Sequence, residues 1–180
     1  ASVYAACEGI SGVGVKPNSA IGIMQDLMDA RSVFLTANST TVYVFNCVDL
    51  KDGPVVLEVP PGVLGPVDDA YFRWVTDVGL TGPDKGRGGK YLFVPPGYTG
   101  NLPSDGYFVV KPPTYSNLIF YRAFVKNGDI AAASNGVKAK ARVYPLSAAG
   151  SPPPPVFVDL SGKQFNTVHA NTFHFYEELN

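Results

Sequence analysis

Histidine, the side chain most often asked to move a proton or hold a metal, occurs only twice in the 180 residues, at His169 and His174. On a helix that spacing sets the two rings about 140° apart, so both cannot face one ion as an i, i+4 pair does. The two cysteines, Cys7 and Cys47, form no Cys-x-x-Cys and show no zinc spacing. They allow either one bridge or two buried thiols. No Gly-x-Ser-x-Gly elbow marks a serine nucleophile. Carboxylates, hydroxyls and arginine remain. Asp77 stands out because the stretch around it, AYFRWVTDVG, is otherwise mostly aromatic and apolar. A carboxylate there could ligate a hard metal or act as general base, with Arg122 holding an anion in a bidentate fork. The bland alternative, favoured by its frequency in proteins, is a partly buried Asp77–Arg122 ion pair. Asp68 and Asp69, following Gly65-Pro66, read as an exposed turn.

A second candidate is the glycine-rich run Thr81–Tyr98, TGPDKGRGGKYLFVPPGY. A phosphate-binding loop needs Gly-x-x-x-x-Gly-Lys followed by Ser or Thr, between a strand and a helix. Gly89-Lys90 fits, but Asp84 stands where the first glycine belongs and Tyr91 where the hydroxyl belongs. A strand follows, so no helix N-terminus offers its amides. The run is expected to turn the chain. Among the aromatic residues, Tyr71, Trp74, Tyr107, Tyr115 and Tyr121 could stack on a sugar, although cross-strand core packing is the commoner use of such rings. Asn38-Ser39-Thr40 fits the glycosylation pattern, a short match that matters only in a eukaryotic secretory setting.

The frame that must position these residues is legible in the composition. Charged residues make up 16% of the chain, below the usual ~25%. The 19 glycines and 16 prolines make up about a fifth of it, where about 12% is usual, so the chain turns often. A net charge of −1 provides no field to attract nucleic acid or an anionic membrane. No apolar run approaches the ~20 residues that span a bilayer, and no charged, Met-led secretory signal opens the chain.

Along the chain, residues 1–15 commit to neither period, and PNSAIGIMQDLMDA from Pro17 reads as a short helix or helical turn through Ile23, Met24, Leu27 and Met28. Strands are expected at Val33–Leu35, Thr41–Val48, PVVLEVP, AYFRWVTDVG, KYLFVPP, GYFVVKPP and SNLIFYRAFV, at short intervals with turn signals between them. In AYFRWVTDVG, alternation places Tyr71, Arg73, Val75 and Asp77 opposite Phe72, Trp74, Thr76 and Val78. Asp129–Arg142 reads as a helix with Asp129 as N-cap and Lys138, Lys140 and Arg142 near its C-terminal end. Ser151–Pro155 is an extended polyproline piece. QFNTVHANTFHFYEEL reads as a terminal helix burying Phe165, Val168, His169, Phe173 and Tyr176. The expected fold is mainly β, a sandwich or jelly-roll-like barrel with a few peripheral helices. Its parts are a β-rich domain over 1–146 with an N-terminal helical segment, a proline-rich connector over 147–164 and a terminal helix over 165–180.

The order of these segments resembles the domain-of-unknown-function 1254 family. The marks are Ala37-Asn38-Ser39-Thr40-Thr41-Val42-Tyr43, Asp49-Leu50, Gly53-Pro54-Val55, Pro95-Pro96-Gly97-Tyr98, Pro113-Thr114 and Arg122, spread over roughly residues 18–146. Thr40 stands where the family motif carries an aspartate. The resemblance implies an exported, periplasmic or secreted protein. It also makes the terminal helix the start of a second β-rich domain, or a surface for self-association in its place. It implies a site in which Asp77, which the family keeps acidic, and Arg122 act catalytically while Asn38, Thr41 and Tyr43 bind ligand. The bland counterpart is that Asn38–Thr41 only fixes a turn. Metal-dependent hydrolysis is the activity the resemblance ranks first, without naming a cofactor. The scarcity of histidine and the missing motif acid favour a non-catalytic binding or self-assembly module for this stretch alone.

Overall fold

The computed structural model describes residues 2–34 and 37–179. Its longest strands, β3 (Thr41–Asp49) and β9 (Ser116–Phe124), pair antiparallel over nine positions, from Thr41 opposite Phe124 to Asp49 opposite Ser116. Period-two alternation separates their faces. Val42, Val44, Val48, Ile119, Tyr121 and Ala123 point inward, while Tyr43, Phe45, Cys47, Leu118, Phe120 and Arg122 point to the outer face. Around this pair, β1 (Ala20–Ile23), β11 (Val156–Asp159), β5 (Val63–Asp69) and β6 (Trp74–Gly79) complete a six-stranded sheet in the order β11-β1-β3-β9-β5-β6.

A second sheet of β10 (Arg142–Pro145), β4 (Val55–Val59), β7 (Gly89–Phe93) and β8 (Phe108–Val110) stacks on the inner face. Between the sheets lies the main core, with Leu57, Val59, Tyr91, Phe93 and Val143 meeting Val44, Ile119 and Val67. This is a sandwich; neither sheet closes on itself among the described residues. The outer face of the six-stranded sheet is covered over β3 and β9 by α1 (Ser2–Gly12) and by a small parallel ladder of β2 (Ser32–Val33) and β12 (Phe165–Asn166). A disulfide between Cys7 and Cys47 fastens α1 to β3. Of the two cysteine states left open by the sequence, the bridge is the one found.

The mainly β architecture agrees with the expectation, and so does α2 (Ile130–Lys140), capped by Asp129, whose carboxylate accepts from the Ala132 amide at 2.9 Å. Other elements differ. Residues 1–15, uncommitted in sequence, contain α1. The helix expected from Pro17 is instead β1, with all four residues buried. A strand covered on both faces reads as an unbroken apolar run, and Ile23 at its end falls into helical spacing with Met24, Leu27 and Met28 by chance. The connector over 147–164 contributes β11, which runs parallel to β1 and forms the sheet's edge. In the terminal stretch only α3 (His174–Leu179) is helical; Phe165 lies buried in β12, while Phe173 and Tyr176 are exposed. Local bonds explain the loss of helix: Asn166 Oδ1 accepts from the Val168 amide, and the Thr167 hydroxyl donates to the Val33 carbonyl. Of the strand expected at Val33–Leu35, Val33 ends β2 and Leu35 falls outside the described residues.

Candidate functional site

The turn expected over Asp68 and Asp69 is strand. Both belong to β5, which lies between β9 and β6. Gly65 serves close approach rather than turning, since a Cβ there would stand 2.1 Å from the Phe120 carbonyl oxygen. Pro66, which lacks a ladder donor, sits where the β5–β9 register is interrupted between Leu64 and Val67. Leu64, Pro66 and Asp68 are half-buried on the outer face, while Val63, Gly65, Val67 and Asp69 are buried.

Asp69 organises the connection to β6. One of its carboxylate oxygens accepts from the amides of Tyr71 at 2.9 Å and Arg73 at 3.0 Å, and the other from Arg73 Nε at 2.8 Å. Burial opposes its ionisation, but the Arg73 guanidinium and these amides outweigh burial and hold the carboxyl below the usual range. The tight turn places Phe72 at a φ of 60°, a conformation few large side chains adopt. Tyr71, Phe72 and Trp74 emerge 67%, 60% and 68% exposed. The Arg73 guanidinium also lies over the Tyr71 ring, 5.1 Å from its centroid.

Asp77 is paired with Pro66 across β5–β6, and Asp68 with Trp74. A register shift after Val67 admits an extra residue on β6, and this bulge brings Trp74 onto the same face as Asp77. Strict alternation had set them opposite. The Trp74 indole N–H donates to Asp77 Oδ1 at 3.0 Å. Arg122 is on that outer face too, opposite Leu64 on one side and Tyr43 on the other. The strand β5 separates it from Asp77, and no ion pair joins the two among the described residues.

Asn38, Thr41 and Tyr43 do come together. Asn38 Oδ1 accepts from the Thr40 amide and from the Thr40 and Thr41 hydroxyls at 2.9–3.0 Å, and the Asn38 amide donates to the Tyr43 hydroxyl. These bonds fix the entry to β3. The Tyr43 ring is buried in a stack with Phe120, centroids 5.4 Å apart, and Phe34 meets it edge-on. Of the other aromatic candidates, Tyr121 is in the core, while Tyr71, Trp74 and Tyr115 are exposed.

The glycine-rich run turns the chain, and its would-be anion cradle is filled from within. The Asp84 carboxylate, fully buried, accepts from the amides of Gly79 at 2.8 Å and Gly88 at 2.9 Å and from the Tyr91 hydroxyl. His169 and His174 have different partners: His169 Nδ1 donates to the Ala170 carbonyl, while His174 bonds Glu177 and is pushed up in pKa by it.

On the outer face a cleft of about 580 Å³ opens between α1, β5, β9 and the chain following β12. Leu118, Phe120, Pro66, Phe34 and Phe72 give it apolar walls, Ala6 closes it from α1, and Val168 and His169 form the far rim. Among the described residues its one carboxylate is Asp68. Burial first, and then the like charges of Asp69 and Asp77, push the Asp68 carboxyl above the usual range. Sequence reasoning missed this residue because Gly65-Pro66 looks like a turn signal; the alternating apolar run Val63, Gly65, Val67 was the available clue.

The family described as "Protein of unknown function (DUF1254)" matches residues 19–145. No curated protein sequence matches the chain. Among solved structures, the VPA0106 protein of Vibrio parahaemolyticus superimposes with a TM-score of 0.59 at 15% identity, over 89% of this chain and 40% of that one. A putative uncharacterized protein from Burkholderia cenocepacia gives a TM-score of 0.42 at 11% identity, over 85% of this chain and 41% of that one. The chain thus spans about two fifths of each.

Proposed function

We propose, for a chain that belongs to the DUF1254 family, that it is a binding module taking a small, largely apolar ligand into the cleft over β5 and β9. The observation that carries this reading is the cleft itself. Its size lies within the range of small-molecule sites, its walls are mostly aromatic and aliphatic, and a few polar groups stand among them, with Asp68 the acid. Such a site orients a ligand through that polar group and gains affinity from apolar contact. Metal-dependent hydrolysis through Asp77 and Arg122 has less support, since no three His, Cys, Asp or Glu side chains gather as a ligand set among the described residues.

A neutral apolar fluorophore, N-phenyl-1-naphthylamine, tests the cleft. It is expected to bind saturably with a blue-shifted emission, and Val168→Trp, which fills the rim, should weaken binding at least about tenfold. Unchanged binding by a folded Val168→Trp variant would locate the probe elsewhere and overturn the reading.

Two further proposals concern the setting. The Cys7–Cys47 bridge supports an oxidising compartment, periplasmic or extracellular. Tyr176 and Leu179 of α3, exposed together with Phe173 just before it, support a docking role for the terminal helix, toward a second β-rich domain or another copy. Removal of residues 173–180 should then lower the mass in solution if the partner is a second copy.

A further inference from the structure

The acids on the outer face carry charge that the fold does not answer. Asp69 is neutralised by Arg73. Asp68 has neither hydrogen bond nor ion pair among the described residues, and Asp77 has only the neutral indole of Trp74. The two acids are two residues apart in the β5–β6 register, with Pro66 opposite Asp77. They are near enough for Asp77 to act on the ionisation of Asp68. Around Asp68 the cleft presents the rings of Phe34, Phe72 and Phe120. Besides Ser2 at the start of α1, two other polar groups line the cleft. His169 already donates its Nδ1–H to the Ala170 carbonyl. The Thr167 hydroxyl gives its proton to the Val33 carbonyl. The cleft therefore offers negative charge, hydrogen-bond acceptors and aromatic faces.

We infer that the ligand of this cleft is an organic cation, a protonated amine on an apolar body, whose ammonium group meets Asp68 while its carbon frame lies against Phe34, Phe72 and Phe120. The charge complementarity is direct: an ammonium supplies the donors and the positive charge that Asp68 lacks, and aromatic faces attract cations as well as alkyl groups. An anionic ligand would meet repulsion from Asp68 and Asp77 together. A neutral ligand would leave the buried share of the carboxylate uncompensated. Trp74, locked by its bond to Asp77 at the open side of the same face, extends the aromatic surface along which a longer amine would run.

This inference rests on the cleft being the binding site proposed above, and matched probes separate the two. Titrations with 2-phenylethylamine, 2-phenylethanol and phenylacetate present one frame as cation, neutral molecule and anion. The amine is expected to bind about tenfold more tightly than the alcohol at neutral pH, with phenylacetate weakest. Asp68→Asn should abolish the preference for the amine, bringing the affinities of amine and alcohol together. Amine binding should also weaken on acidification, as Asp68 takes up a proton in the field of Asp69, Asp77, Arg73, Arg122 and His169. Equal affinity for amine and alcohol, or an amine preference that survives in Asp68→Asn, would overturn the inference and leave the cleft as a neutral apolar site. Failure of all three probes to shift the NMR signals of Phe120 and Val168 would overturn both.

Discussion

Asp68 and Asp69 are neighbours with opposite fates, and the difference is geometric. Asp69 turns inward onto two amides and a guanidinium, which keep its charge, whereas Asp68 turns outward into an apolar cleft that opposes its charge. The unfolded chain keeps an ordinary aspartate at position 68. Ionisation therefore costs the fold stability as pH rises from the ordinary aspartate value through the raised one, and the cost persists at neutral pH. Asp68→Asn removes it. The variant is expected to melt a few degrees higher than the parent near about pH 7, and thermal melts near about pH 3 should show no difference. Asp69 behaves in reverse: its contribution is present above the ordinary aspartate value and is lost as pH falls through its lowered one. A gain of stability on removing Asp68 is what a group held for ligand rather than for folding should show. At this scale Asp77 and Arg122 were legible as unusual residues, and the register places both on one face with β5 between them. The charge in the cleft was not legible, because only the β5 register shows which of two adjacent acids faces out.

At the scale of elements, the loop between β6 and β7 depends on one buried carboxylate. Asp84 closes it by taking the amides of Gly79 and Gly88 and the Tyr91 hydroxyl, while Lys85 and Gly86 adopt positive φ at its tip. Asp84→Ala leaves three donors without an acceptor, those of Gly79 and Tyr91 buried and that of Gly88 half-buried, and should cost about 3 kcal/mol in urea unfolding, with the midpoint falling and the slope unchanged. A loop that merely spans the strands would lose far less. The turning role of this run was readable from its glycines and from the strand after it; the filling of its amide cradle by Asp84 was not, since a sequence does not reveal which carboxylate reaches which amide. The strands with alternating β-branched and aromatic residues, β3, β4, β7 and β9, were equally readable. Strands were missed for different reasons: β1 is buried on both faces and so does not alternate, β5 carries Gly65-Pro66, and β12 is too short for any period. The bulge near Val67 reversed the expected side of Trp74, a reminder that parity in a strand survives only until the first inserted residue.

For the molecule as a whole, the composition pointed correctly to layered sheets, and the disulfide is the one cross-link that ties a helix to them. It closes a segment of 40 residues, which in the chain-entropy view contributes about 4 kcal/mol by restricting the unfolded state. Reduction with a strong thiol should lower the stability by about that amount, and α1 should be the first region to lose hydrogen-exchange protection. Because α1 forms one wall of the cleft, probe binding should decline along with it. Simultaneous loss of protection in β3 and β9 would mean that the bridge holds up the sandwich itself rather than its cover. The pairing could not be deduced from spacing, since proximity of Cys7 to Cys47 arises only once α1 lies across β3.

The cleft draws its walls from Ala6 near one end of the chain and from Val168 and His169 near the other, with the floor supplied by strands between them. Every strand of both sheets therefore precedes the last wall in the chain. A chain cut short after β11 could look well folded by its strand content while having nowhere to hold a guest.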